Sequence, residues 1–303
     1  MPLQYRVSLL FCFTFALGSL VPPPGLAQDR SASDSFELGI LYYSGRSVPT
    51  NYEKSAALFR AAAEAGDPRA QFMLGRQYAD GLGVPKDLAR AADLYRAAAD
   101  QGYSHAQNNL AYLYQSGQGV PQDPQTAVSW YLAAAKQGDA IAQVNLGSMY
   151  LTGDGIAQDF AQAAHWFGLA AGAGQPNAQN DLAVMYCLGQ GVPQNFKEAA
   201  RLAQSAAKQG LASAQANLGY LYEHGQGLQL DYVAAFAWYT RASRGGNHNA
   251  AIRLGSLRQI MTAKQLNQAA SLLASPLPAA SESAATSAPK IPTNAFTLRS
   301  PNP

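Results

Sequence analysis

The sequence predicts an all-α protein, an α/α superhelical solenoid in which helix pairs stack along the chain. Three observations carry that expectation. Segments opening Ala-Gln-x-x-Leu start at Ala70, Ala106, Ala142, Ala178 and Ala214, each 36 residues after the last, with no insertion or deletion between them. Glycine, and Asp or Asn, recur at fixed positions of each unit, where helices would end and begin. Each unit is too small to bury its own apolar stripe, so neighbours must stack around a shared core. The composition agrees, because 58 Ala and 27 Gly among 303 residues suit helices that approach closely.

From the N-terminus, residues 1–27 read as a signal peptide. Arg6 is the only charge before Asp29, and residues 7–21 are mostly apolar but too few to span a bilayer. Small residues, Gly25 and Ala27, precede a cut after Ala27. Cys12 lies inside the apolar run rather than just after a cleavage site, which argues against a lipid-anchored cysteine. The expected product is exported, periplasmic or secreted, and has no stable membrane span. It starts near Gln28 with a short linker over 28–33 and keeps one cysteine, Cys187, so no intramolecular disulfide can form. With 21 Lys and Arg against 19 Asp and Glu in the whole chain, no strong basic field draws it to nucleic acid or an anionic membrane.

Residues 34–274 then hold six units and a closing segment. The first unit, from Asp34, is degenerate but keeps Leu38, Gly39, Tyr42 and Gly45 in register, and a half unit starts at Ala250. Positions are counted from the opening residue of each unit. Positions 1, 5, 8 and 9, such as Ala106, Leu110, Leu113 and Tyr114, share one face of a first helix; Gln77 is an exception. Position 6 is Gly or Ala, which admits a neighbouring helix. Position 12 is Gly in all six units, a C-cap signal. Position 18 is Asn51, Asp87, Asp123, Asp159, Asn195 or Asp231, the expected N-cap of a second helix. That helix carries a bulky pair, such as Trp130-Tyr131 or Trp238-Tyr239, then small residues, and closes on Gly66, Gly102, Gly138, Gly174, Gly210 or Gly246.

These residues carry a resemblance. The pattern Ala-x-x-x-Leu-Gly-x-x-Tyr-x-x-Gly-x-Gly-Val-x-x-Asp, followed by Ala-x-x-Trp-Tyr-x-x-Ala-Ala-x-x-Gly, resembles the Sel1-like repeat, a relative of the tetratricopeptide repeat. The run from Met261 to Leu272, with Thr262 as N-cap, looks like the capping helix that often closes such arrays. The resemblance implies an α/α solenoid acting as an adaptor for a protein or peptide, in bacteria often exported and engaged in envelope regulation or assembly. It also brings an alternative: cysteine-rich relatives are linked to β-lactam binding or hydrolysis, although their paired cysteines are missing here. Residues 275–303, rich in Ser, Ala and Pro, read as a disordered tail, and within it Asn294 to Arg299 reads as solvated chain carrying two large apolar residues rather than as a docking run.

Recognisable catalytic and cofactor motifs are missing from the sequence. The repeated Gly-x-Gly lacks the third glycine of a dinucleotide loop, with Lys86, Gln122 and Gln194 in its place. The four histidines, His105, His165, His224 and His248, have no ligand spacing and read as isolated surface residues. Cys187 has no nearby Lys, Arg or His to activate it and reads as inert. No cofactor, metal or catalytic residue is therefore expected, and the protein reads as a non-enzyme. The strict period of the Trp and Tyr pair assigns it to the core. The polar residues at position 4, Asn109, Asn145, Asp181 and Asn217, are expected to hydrogen-bond between units.

Positions 3, 7 and 10 lie opposite the core stripe of the first helix and are the candidate partner-binding residues. They include Phe72 and Arg76, then Asn108, Tyr112 and Gln115, then Val144, Ser148 and Leu151. Asn180 and Val184 follow, then Tyr220 and Glu223. They vary from unit to unit, and several are apolar where a solvated face would be charged. In tetratricopeptide-like solenoids the first helices line the concave side, where exposed aromatics anchor a ligand. The alternative is that packing between first helices covers them.

Overall fold

The computed structural model describes residues 24–274, with side chains from residue 31 onward. Among those residues it contains fourteen helices and no strand. The first helices of the units are α1 (Pro24–Ser44), α3 (Pro68–Asp80), α5 (Ser104–Ser116), α7 (Ala140–Thr152), α9 (Pro176–Leu188), α11 (Ala212–His224) and α13 (His248–Ile260). The second helices are α2 (Tyr52–Glu64), α4 (Leu88–Asp100), α6 (Pro124–Lys136), α8 (Phe160–Gly172), α10 (Phe196–Lys208) and α12 (Tyr232–Arg244). The closing helix α14 (Ala263–Ala274) packs on α12. Thr262 caps it as expected: Gln265 N donates to Thr262 Oγ1 at 3.3 Å, and Thr262 N donates to Gln265 Oε1 at 2.9 Å.

The turn chemistry explains the uniform helix lengths. Gly117 ends α5 in the left-handed conformation at φ 68°, where L side chains are strained. The chain then doubles back, and Asp123 N donates to Tyr114 O at 2.9 Å. Asp123 Oδ1 in turn accepts from Thr126 N at 3.1 Å and starts α6. The same N-cap bond forms at Asn51, Asp87, Asp159, Asn195 and Asp231.

The second glycine of each turn has a tertiary reason. A Cβ on Gly119 would stand inside the backbone of Leu88, the first residue of the preceding second helix, and Gly83, Gly155, Gly191 and Gly227 repeat that approach. In the first unit Ser47 holds the place at φ 64°. Among the described residues no second helix precedes it to press against, so only the conformational strain remains.

From α1 to α13 each helix packs against its neighbours in the chain, and the core runs along the stack. Its main joint is an aromatic ring at position 26 lying on the small residue at position 6. A Cβ on Gly75 would come 2.8 Å from the Tyr95 ring, and one on Gly219 would come 2.9 Å from Tyr239. Phe59, Tyr131 and Phe167 are fully buried in the same way. Position 25 is more mixed, with Trp166 buried but Trp130 and Trp238 half-buried. The core therefore takes the position-26 ring completely and its neighbour only in part.

Two features differ from the sequence reading. The linker expected over 28–33 is helical, because α1 begins at Pro24 and is 21 residues long against 13 for α3. A cut after Ala27 would fall in its first turn. The rest of the expected signal peptide, residues 1–23, and the expected disordered tail, 275–303, lie outside the described residues. No described helix is long and apolar enough to cross a membrane.

Candidate partner-binding surface

The first helices bring positions 3, 7 and 10 of successive units side by side, and the structure divides the candidates in two. Asn108, Asn180 and Val184 are buried, at 4%, 2% and 3% exposure, so the outward-facing expectation is corrected for these three. The physical reason is the short distance between neighbouring first helices: position 3 of one unit meets position 4 of the next. Asn145 Nδ2 donates to Asn108 Oδ1 at 3.0 Å, and Asn217 Nδ2 donates to Asn180 Oδ1 at 2.8 Å. The polar ladder is thus met at Asn145 and Asn217, running diagonally rather than between equivalent residues, whereas Asn109 and Asp181 accept from Asn108 and Asn180 next to them on the same helix.

The other candidates remain half-buried: Phe72, Arg76, Tyr112, Gln115, Val144, Ser148, Leu151, Tyr220 and Glu223. Several are positioned by polar contacts. Gln115 Oε1 accepts from Tyr131 Oη at 3.1 Å, and its Nε2 donates to Asp154 Oδ2 at 3.2 Å. Glu223 accepts from Tyr239 Oη at 2.8 Å and from Arg253 Nη2 at 2.9 Å. Glu223 is therefore a structural anchor between units. Tyr220 stacks on His224 with ring centres 4.1 Å apart, and Phe72 sits 5.3 Å from Tyr103 and 6.0 Å from His105. Aromatic surface on this face is held in place rather than dispersed.

One unit departs from the pattern. Ala203 stands at position 26, where the other five units carry Tyr or Phe. In that unit α9 and α11 come closer together than other neighbouring first helices do. Cys187, on α9, is buried at 5% exposure, and burial pushes its thiol up to about 11, which suits an inert residue. Asp181, also on α9, is half-buried, and burial pushes its carboxyl up to about 6 against the single hydrogen bond from Asn180.

The histidines are less isolated than expected. His105 Nδ1 lies 2.8 Å from Oδ2 of Asp139, whose side chain is 2% exposed at the start of α7. That hydrogen bond raises the imidazole pKa. Among the described residues, no group of three or more His, Cys, Asp or Glu could hold a metal.

Two arrangements escaped the sequence reading. Gln at position 2 is buried in five units and donates backward to the preceding second helix, as from Gln107 Nε2 to Ala99 O at 3.1 Å. The opening Ala-Gln of each unit was its visible signal. On the second-helix side, a groove of about 320 Å³ lies between α2 and α4 over Leu74. There Tyr78 Oη accepts from Arg90 Nη1 at 3.3 Å and Arg60 Nη2 at 3.4 Å, and the two guanidinium groups lower its pKa.

The Sel1 repeat profile matches six times, over residues 35–67, 68–103, 104–139, 140–175, 176–211 and 212–247. The chain belongs to the Sel1-repeat family. The crystal structure of a Sel1-repeat protein from Oxalobacter formigenes is similar to it, at 36% identity and a TM-score of 0.67. That match covers 75% of this Sel1-repeat chain and 66% of the Oxalobacter chain, so this chain spans just under two thirds of that relative. A protective antigen of uropathogenic Escherichia coli with the same type of fold matches at 25% identity, covering 80% of this chain and 75% of the antigen, with a TM-score of 0.42. Among curated proteins, none matches.

Sel1-repeat solenoids are generally protein-interaction scaffolds, and the family is typically non-enzymatic.

Proposed function

We propose that this protein is an exported, non-enzymatic scaffold that holds a protein or peptide along the face formed by its first helices, in envelope regulation or assembly. One observation carries the reading of the face. Phe72, Tyr112, Val144, Leu151 and Tyr220 keep part of their apolar surface in solvent, although their neighbours Asn108, Asn180 and Val184 are fully covered. Partly exposed aromatic side chains held in fixed positions give a ligand large contact area at little entropic cost. Export is supported by the sequence of residues 1–27.

The test is affinity capture from an envelope fraction with the purified protein, beside its Tyr112→Ala and Tyr220→Ala variants. Loss of a captured partner in both variants, with helical content and Tm close to the parent, supports the face. Undiminished capture by both variants overturns it.

A further inference from the structure

Beyond Glu37 of the first unit, five residues at position 4 are polar: Asn109, Asn145, Asp181, Asn217 and Arg253. Four of them find a partner in the preceding unit. Asn109 stands beside the Tyr95 hydroxyl and pulls its pKa down against the effect of burial, Asn145 donates to Asn108, Asn217 donates to Asn180, and Arg253 pairs with Glu223. Those partners come from positions 3, 10 and 26 of the preceding unit. For Asp181 the corresponding residues are Val144, Leu151 and Phe167, none of which has a side-chain polar atom. Its one hydrogen bond comes from Asn180, next to it on the same helix, at 3.1 Å. Asn180 is in turn held by Asn217, so Asp181 Oδ1 is oriented by a short relay of amides. No ion pair reaches Asp181 among the described residues, and no charged neighbour affects its carboxyl.

A carboxylate among apolar neighbours without a counter-charge is costly, and an Asn there would meet the same contacts more cheaply. Asn is what the unit before, at Asn145, and the unit after, at Asn217, both carry. Asp181 is only half-buried, and its second oxygen, which makes no hydrogen bond, is not among the sealed and unpartnered polar atoms of the described residues. Half-buried Val144 and Leu151 on the preceding helix, and Tyr220 on the next first helix, flank Asp181 by repeat register. An oriented carboxylate with apolar walls fits a cation carried on an apolar stem, which describes Lys and Arg.

We propose that Asp181 is the charge-recognition point of the first-helix face and takes the cationic side chain of a Lys or Arg in the bound peptide. This rests on the reading of that face as a peptide-binding surface, and its test separates the two.

A random peptide library displayed on phage is panned on the full chain, and selected peptides are measured by fluorescence anisotropy. The expected selection is Lys or Arg beside apolar residues. Asp181→Asn should weaken binding about tenfold or more, as loss of a hydrogen bond to a charged group does. Replacing the peptide cation by norleucine should cost the same on the parent and almost nothing further on Asp181→Asn. That cycle uses the parent protein for half its measurements, so the conclusion does not depend on the variant's stability. Peptides that lose affinity in Tyr112→Ala and Tyr220→Ala but bind Asp181→Asn undiminished overturn the charge assignment and leave the face standing. Peptides indifferent to all three substitutions, or no selection at all, overturn both.

Discussion

At the scale of single residues, contacts across the joints between units tie the stack together. His105 and Asp139 form one such contact, between α5 and the N-terminus of α7. Because hydrogen bonding to Asp139 raises the His105 pKa, the contact contributes fully below the ordinary imidazole value of about 6.5. Its contribution is lost as pH rises through the higher folded-state value. The imidazole is 59% exposed, so the expected effect is under about 1 kcal/mol. Urea unfolding of the parent and of His105→Gln should therefore differ more at pH 6 than at pH 8. An equal difference at both pH values would mean the imidazole acts without its charge. Glu223 shows the other use of such contacts: Arg253 holds it across the last joint, while the Tyr239 hydroxyl of its own unit donates to it, as Tyr131 does to Gln115. Position 10 of the unit is thus shared between structure and surface.

At the scale of helices, the position-26 ring sets the spacing between adjoining first helices. Tyr95, Tyr131, Phe167 and Tyr239 fill that space, whereas Ala203 leaves it to α9 and α11, which meet. Ala203→Tyr should act as a wedge there, costing about 1–3 kcal/mol in urea unfolding, as overpacking of a filled core does. Moving α9 away from α11 should also uncover Cys187, so its reaction with a thiol reagent should quicken. A variant as stable as the parent with an equally slow thiol would show that the space is still open. The turn glycines act at the same scale: Gly119 is demanded by the backbone of Leu88, which belongs to the unit before it. Ser47 marks the end of the stack, where that demand is absent.

At the scale of the whole molecule, the constant 36-residue period makes each joint nearly equivalent to the next. Stability should then be close to a sum of units and nearest-neighbour joints. Deleting residues 142–177, one full period, keeps every remaining helix in register. The shortened protein should keep its helical signal per residue by circular dichroism and melt at a lower temperature. Loss of the helical signal would show that the array folds only as a complete set. Deleting half a period would set first helix against first helix and should abolish folding.

Most of the architecture was legible in the residues. The period, the N-caps from Asn51 to Asp231, the glycine C-caps and the capping helix begun by Thr262 are local signals, decided by backbone conformation and by hydrogen bonds a few residues long. The candidate face was legible only as a set of positions. Whether Asn108, Val184 or Tyr112 is covered depends on the residue that stands opposite, one unit away in sequence. Asn108 and Asn145 are hydrogen-bonded to one another, while Asp181, which has Val144 at the corresponding place by register, stays half-buried. Periodicity names the partners in such a pair, but side-chain volume and hydrogen-bonding capacity across the joint determine how closely they pack. The sequence by itself therefore determined a stack of helix pairs and their register. Tertiary structure alone decided which outward positions remain open and where a charge is left without a partner, because both depend on contacts between units rather than within them.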